Sequence, residues 1–333
     1  MRIPMKKITM LLAVMLLSAN AMAEDQVVIR FSHVVKKGAP KDLVVEKFKS
    51  LVEKYSEGKV RVENYADSSL FGDRDEMKAV RDGKVEMIAP SLSKTDQLYS
   101  NKSNNPYVVL DVPFLFDTPA QVKKLAGNQV LADMAATVEG QGVKVIGVWD
   151  NGLKQLSINT PVGNINDLEQ KKIRIQPSNI LKAGVKGWGS TPRVLSYAEV
   201  YNGMLYATLD GAENPASNFY ASRFYEVQKY LYTTNHGYLG YAWIVNDKFW
   251  SSLKPGIKEA VVKAVEETNK VQTDIAELSN EFALQDVKGT GLTRVLEPSS
   301  ELLGDLKSRS VSAEKALSES QKTWYKKLKD SIK

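Results

Sequence analysis

The feature that most constrains the fold is a regular alternation of strand-like and helix-like segments. Strand patterns occur at 26–32 (QVVIRFS), 60–65 (VRVENY), 85–90 (VEMIAP) and 143–149 (VKVIGVW). Between the first two, residues 41–59 place apolar side chains at helical spacing up to Gly58. Strands that alternate with helices form an α/β layer structure around a mostly parallel sheet.

The alternation starts again after about residue 150, with KQLSIN (154–159) and KIRIQ (172–176). Residues 254–287 are different, because apolar residues recur there at spacings of 3 and 4 without a break. Pro255 suits a first helical turn and Gly289 follows the run. A helix of about 30 residues is about 45 Å long, so we expect it to contact both halves of the chain. A coiled-coil arm is the alternative, although the stripe contains few leucines.

The N-terminus predicts export. Arg2, Lys6 and Lys7 precede an apolar run from Ile8 to Leu17, and Ala21-Met22-Ala23 resembles a cleavage site. We expect a signal peptide over 1–23, with Glu24 as the first mature residue. Removing its three cations lowers the net charge from +6 to +3, and no dense basic run remains that would favour nucleic acid.

The residues that most enzymes require are scarce. The chain has no cysteine, which excludes disulfides and thiolate chemistry, and it has no G-x-S-x-G motif. Its two histidines, His33 and His236, lie far apart without clustered carboxylates, so neither a metal site nor a cofactor is predicted. His33 follows a strand, where it could contact a ligand or serve as a packed structural histidine.

Polar side chains follow several of the predicted strands. Ser91 and Lys94 come after VEMIAP, Lys154 after the strand that ends at Trp149, and Asn214 after TLDGAE. Arg174 lies within KIRIQ, on the opposite face from its isoleucine neighbours. Ligands of open α/β sheets bind outside the carboxyl ends of strands. Three cations and two hydrogen-bonding groups at such positions indicate an anion site, although any one of them alone could be a surface residue.

The same residues lie in segments that resemble a known family. The chain is similar to the periplasmic substrate-binding subunits of tripartite ATP-independent periplasmic (TRAP) transporters, the DctP-like family. The matching segments include FSHVVKKGAPK (31–41), SSLFGDRDEMKAVRDGKVEMIAPS (68–91), PFLFD (113–117), WDNGLKQLSIN (149–159) and most of 168–241. Within the last block, the motifs SYAEVY and DGAENP occur together with Arg174 at a spacing that is specific for this family, although each motif alone is weak.

The resemblance implies roles for individual residues. Arg174 would pair with a ligand carboxylate, Asn214 would face the ligand, and Tyr197 would pack over it. Lys154 stands where the sugar-acid-binding branch has an arginine, and Ser91 where it has a glutamate, which argues against sialic acid. The segments FSHV, LFGD, IAPSL and NGLKQLS resemble the C4-dicarboxylate-binding branch instead.

The implied fold has two α/β domains joined by crossing segments, with a long helix spanning both. We expect domain I over 24–151 plus 240–279 and domain II over 152–239 plus 280–333. The expected function is that of a monomeric periplasmic receptor that binds succinate, fumarate or malate in an interdomain cleft. It would deliver the ligand to the small and large membrane subunits of a TRAP transporter.

Three alternatives remain open from the sequence. The ligand could be an aromatic, keto or sugar acid, because pocket volume cannot be read from the residues. The receptor could additionally report ligand status to a membrane kinase. A periplasmic enzyme acting on an organic acid is the third, and it lacks a recognisable catalytic group.

Overall fold

The computed structural model describes residues 26–138 and 140–333, so the expected signal peptide lies outside the described residues. Within these two ranges, nine strands form one mixed sheet: β1 (Val27–Ser32), β2 (Val60–Tyr65), β3 (Met87–Ile88), β4 (Val143–Ile158), β5 (Lys172–Ile175), β6 (Thr191–Val194), β7 (Gly211–Asn214), β8 (Tyr230–Asn246) and β9 (Arg294–Leu296). Their order is β2-β1-β3-β8-β4-β7-β5-β6, and β9 pairs with β8.

The helices cover both faces of this sheet. They are α1 (Pro40–Tyr55), α2 (Glu76–Arg81), α3 (Pro119–Lys123), α4 (Gln129–Ala136), α5 (Asn179–Gly187), α6 (Tyr197–Leu205), α7 (Ala216–Ala221), α8 (Asp247–Ser252), α9 (Pro255–Thr290), α10 (Ser300–Arg309), α11 (Val311–Lys315) and α12 (Glu319–Ser331). Within the described ranges, none has the length and apolar content needed to cross a membrane.

Two long antiparallel strands connect the halves of the sheet. β4 and β8 pair along most of their length, with register shifts near Asp150–Leu153. We call the part with β1–β3, α1 and α2 the first lobe, and the part with β5–β7, α5, α6 and α7 the second lobe.

The sequence patterns on either side of Asp150-Asn151-Gly152 predicted two separate strands. Gly152 adopts a φ of 95°, which lets the turn-like residues form a bulge within one continuous strand.

Each lobe has its own apolar packing. In the first, Val44, Val45 and Phe48 of α1 are buried against β1. There the ring of Trp149 stacks on Phe31 with centroids 5.9 Å apart and meets Trp243 at 4.6 Å. In the second lobe, separate clusters surround Ile173 and Ile175 of β5 and Val200 and Met204 of α6. The long strands β4 and β8 contribute residues to the clusters of both lobes, such as Trp149 and Trp243 in the first and Leu156 and Leu231 in the second.

The long helix spans both lobes, as predicted. α9 has 36 residues, which corresponds to about 54 Å. Its first half buries Val261 and Ala264 against α1, and its second half buries Ala283 and Val287 beside α7 and β4. It continues past Gly289 to Thr290, and Gly291 follows as the C-cap with a φ of 67°, the left-handed conformation common at helix C-termini. The α/β fold with a spanning helix is therefore confirmed, and a free coiled-coil arm is excluded.

The C-terminal helices pack on different partners. Leu302 and Leu306 of α10 join the cluster around β5. Tyr325 and Leu328 of α12 lie instead in a cluster with Tyr107 and other residues of the segment 98–138. The domain boundaries proposed from the sequence remain a prediction.

Candidate ligand-binding site

A small cavity lies between the lobes at the carboxyl ends of β1, β3, β5 and β7. It is lined by Val34, Val35, Lys41, Asp73, Ser91, Lys94, Arg174, Gln176, Tyr197, Asn214, Asn218, Leu239 and Tyr241. Five of the residues singled out from the sequence are in this lining: Ser91, Lys94, Arg174, Tyr197 and Asn214. Two others, Lys154 and His33, are not. Polar side chains from both lobes thus meet around one small space.

Arg174 is buried beside this cavity. Its strand β5 directs Ile173 and Ile175 into the core, and alternation directs Arg174 to the other side. The guanidinium Nε and Nη2 donate to the Leu195 carbonyl oxygen at 3.1 and 2.9 Å. Three of its five N–H groups remain for another acceptor. Burial lowers the pKa of Arg174, yet a guanidinium stays charged at any working pH.

Several other polar atoms of the lining are buried without a hydrogen-bond partner in the described structure. They are the side-chain amide nitrogen of Asn214 at the end of β7, the Ser91 hydroxyl after β3, and the side-chain amide oxygens of Gln176 and Asn218. Buried polar groups are normally hydrogen-bonded, and each unpaired one costs about 1–3 kcal/mol. The cavity therefore presents donors and acceptors suited to a polar ligand.

Lys94 is paired within the first lobe. Its Nζ contacts Asp73 and lies 2.9 Å from Glu76 Oε1. Burial lowers the pKa of Lys94, but the attraction of Glu76 and Asp73 outweighs it and the pKa lies above its usual value. Asp73 also accepts a hydrogen bond from the Tyr197 backbone N–H at the start of α6. This carboxylate therefore links the two lobes at the cavity.

Lys41 is a cavity residue that the sequence reasoning missed. It lies in the first turn of α1 and is 2% exposed. Its Nζ donates to the Ala89 carbonyl oxygen at 2.7 Å and sits 3.7 Å from the centroid of the Tyr241 ring. Burial lowers the pKa of Lys41 to about 7. The available signal was its position on the apolar stripe of α1, three residues before Val44, where a lysine is unusual.

Lys154 lies next to the cavity and is fully buried. Its Nζ is 2.7 Å from Glu213 Oε1, and His236 Nε2 is 3.2 Å from the other Glu213 oxygen. Burial raises the pKa of Glu213, but Lys154 and His236 outweigh it and the pKa falls to about 2. Because Glu213 precedes Asn214 on β7, this buried cluster holds the strand that positions Asn214.

His33 is also buried outside the lining. Its Nε2 lies 3.4 Å from Asp42 Oδ1, and its ring meets Phe31 edge-on. Burial lowers the pKa of His33. This environment matches the packed structural histidine that was the other interpretation of its sequence position.

The chain is similar to known solute-binding proteins. The model of the family DctP, bacterial extracellular solute-binding protein, family 7, matches residues 31–318. The C4-dicarboxylate-binding periplasmic protein DctP of Rhodobacter capsulatus is 38% identical over 285 residues, 86% of this chain and 84% of the relative.

Two solved structures share the fold along nearly their whole length. A TRAP periplasmic solute-binding protein from Shewanella oneidensis with bound succinate superposes with a TM-score of 0.87 at 28% identity, covering 92% of this chain and 99% of the other. One from Pseudomonas aeruginosa with bound L-malate gives a TM-score of 0.81 at 34% identity, covering 87% and 99%.

Proposed function

This chain belongs to the DctP family of bacterial extracellular solute-binding proteins, and from this premise we propose that its ligand is a C4-dicarboxylate such as succinate, fumarate or malate. The family consists of TRAP solute-binding receptors and not of enzymes. The ligand would be bound between the two lobes and delivered to the membrane subunits of a TRAP transporter.

The observation that carries this proposal is the buried guanidinium of Arg174. It faces the cavity beside Asn214 and makes no ion pair within 4.0 Å in the described part of the chain. A buried charge is unfavourable unless it is paired and hydrogen-bonded. A carboxylate can accept two parallel N–H bonds from a guanidinium, so an organic acid fits this position.

The size of the cavity favours a compact acid. The space that the centre of a water molecule can occupy in it is only about 20 Å³, which is room for about one water molecule. A four-carbon diacid would need less separation of the lobes than a six-carbon sugar acid. Ser91, which has no charge, further favours a compact acid over one with many hydroxyl groups. An aromatic, keto or sugar acid is the alternative ligand class.

The arrangement of the lobes supports binding by closure. The long strands β4 and β8 and the helix α9 connect the lobes, and the bulge at Gly152 interrupts β4 between them. Arg74 of the first lobe forms an ion pair with Glu199 of the second at 3.0 Å. Opening would break this exposed pair and the Asp73 contact to Tyr197, whereas a ligand held by both lobes would favour the closed form.

We propose export through a cleavable signal peptide as the route to the periplasm. The charged start, apolar run and Ala21-Met22-Ala23 ending support it. Material purified from the periplasm should have the intact mass of a chain that begins at Glu24. A full-length mass in a membrane fraction would contradict this processing.

Ligand titration tests the proposed function directly. A thermal-shift screen of organic acids identifies binders, because a ligand at 100 times its Kd stabilises the folded state by about 2.7 kcal/mol. Calorimetry then compares succinate, fumarate and malate with butyrate, which has the same chain length and one carboxylate fewer. We expect the diacids to bind far more tightly. No binding of any C4-diacid, or equal affinity for butyrate, would refute the proposal.

A further inference from the structure

Of the positively charged side chains that line the cavity, one forms ion pairs with carboxylates of the described residues and two do not. Lys94 is compensated by Asp73 and Glu76. Arg174 of the second lobe and Lys41 of the first lobe both line the cavity, and each donates hydrogen bonds only to a backbone carbonyl among the described residues. In the part of the chain that the structure describes, two buried cations, one from each lobe, are thus left without a carboxylate within ion-pair distance.

We propose that Lys41 binds the second carboxylate of the ligand and so determines the preference for diacids over monoacids. This inference rests on the proposed function, in which Arg174 holds the first carboxylate. Lys94 is less suited to this role, because its ammonium already contacts two carboxylates.

The surroundings of Lys41 favour an added anion. One of its three ammonium N–H groups is used by the Ala89 oxygen, and the Tyr241 ring covers one side at 3.7 Å. The titratable and charged groups that act on it are Glu76, Asp73, Lys94, Tyr241 and His33. The two carboxylates among them, Asp73 and Glu76, already contact Lys94, so they compensate the charge of Lys41 only in part. A ligand carboxylate would supply the missing charge in a site closed to water.

The same surroundings make binding dependent on pH. Burial lowers the pKa of Lys41 to about 7 in the free protein, and a bound carboxylate would raise that pKa because it favours the charged form. Above pH 7 the free protein must therefore take up a proton as it binds. Affinity for a diacid falls as the pH rises from 7 to 9.

The experiment compares the wild type with Lys41→Met and Lys41→Gln. Both variants remove the charge, and glutamine keeps a donor for the Ala89 oxygen. Lys47→Met, at an exposed position on the same helix, is the matched control. Circular dichroism first verifies folding, and calorimetry then measures succinate and butyrate. We expect each Lys41 variant to lose about 30-fold or more in succinate affinity and little in butyrate affinity, while the control keeps the wild-type values.

The outcomes separate the two proposals. If the wild type binds succinate and folded Lys41 variants keep both its affinity and its preference over butyrate, the role of Lys41 is overturned and the receptor function stands. If the wild type binds no C4-diacid, the function itself fails.

Wild-type calorimetry at pH 8.5 in two buffers of different ionisation enthalpy provides a measurement that needs no variant. We expect uptake of about one proton per succinate. Uptake of no proton, together with unchanged succinate affinity in the folded Lys41 variants, would overturn the inference.

Discussion

Replacing Arg174 tests the central contact of the proposed site. The side chain is 2% exposed and is held by two donations to the Leu195 oxygen, so its remaining N–H groups have a fixed direction. Arg174→Ala removes both the charge and this tether. Arg174→Lys keeps the charge, but its single ammonium cannot bond the Leu195 oxygen and both oxygens of a carboxylate in the geometry of a guanidinium.

The expected losses follow from these contacts. Truncating one partner of a buried, hydrogen-bonded charge pair costs about 2–5 kcal/mol, which weakens binding by about 30-fold to about 5,000-fold. Micromolar affinity corresponds to only about 8 kcal/mol, so Arg174→Ala should nearly abolish binding. Arg174→Lys loses about one charge-assisted hydrogen bond, about 1.5–3 kcal/mol, and should weaken binding by about 10-fold to about 150-fold.

Calorimetric titration with the best diacid measures these losses, after thermal melting has shown that each variant is folded. The matched control is Arg193→Ala, because Arg193 pairs with Arg174 in register on the neighbouring strand β6 but is exposed. Wild-type affinity in folded Arg174→Lys and Arg174→Ala would refute the reasoning. Lower melting temperatures with unchanged affinity would show that the arginine only ties β5 to Leu195.

Three further predictions concern closure, pH and packing. Small-angle scattering should show a smaller radius of gyration when a saturating diacid is added, and an unchanged profile would argue against hinged closure. Because its folded-state pKa is lowered from 4.5 to about 2, Glu213 contributes stability that is present above about pH 4.5 and is lost as the pH falls towards 2. Glu213→Gln should lower the free energy of unfolding by about 3–5 kcal/mol at pH 7. In urea unfolding, the variant should also lose less stability than the wild type as the pH falls from 4.5 towards 2, and an unchanged pH dependence would contradict this prediction. Gly211→Ala should destabilise the fold by about 2 kcal/mol or more, because the new Cβ would lie 2.2 Å from the Ser157 oxygen. At Gly256, no described atom other than those of its chain neighbours and its own helix backbone lies within 4 Å of an added Cβ. Gly256→Ala should therefore stabilise the first turn of α9 by about 0.5–1 kcal/mol, and equal melting temperatures would count against both estimates.

The sequence by itself determined the class of fold and part of the site. Strand and helix periods are local properties, so the α/β alternation and the helix that begins at Pro255 could be predicted from neighbouring residues. The alternation within KIRIQ placed Arg174 away from the core. Ser91 and Asn214 were selected because they follow predicted strands, and ligands of α/β sheets bind at the carboxyl ends of strands. These predictions needed only the direction of side chains along one element.

The tertiary structure decided which polar groups meet. Lys154 has the sequence features of a ligand contact, yet it pairs with Glu213, 59 residues away, and is not part of the cavity lining. Lys41 was overlooked because its neighbours are distant in sequence: Ala89 follows β3, and Tyr241 lies in β8. The union of two strand patterns into β4 likewise depends on pairing with β8. The pairing of a buried charge depends on chain segments that meet only after folding, and no local period in the sequence encodes that proximity.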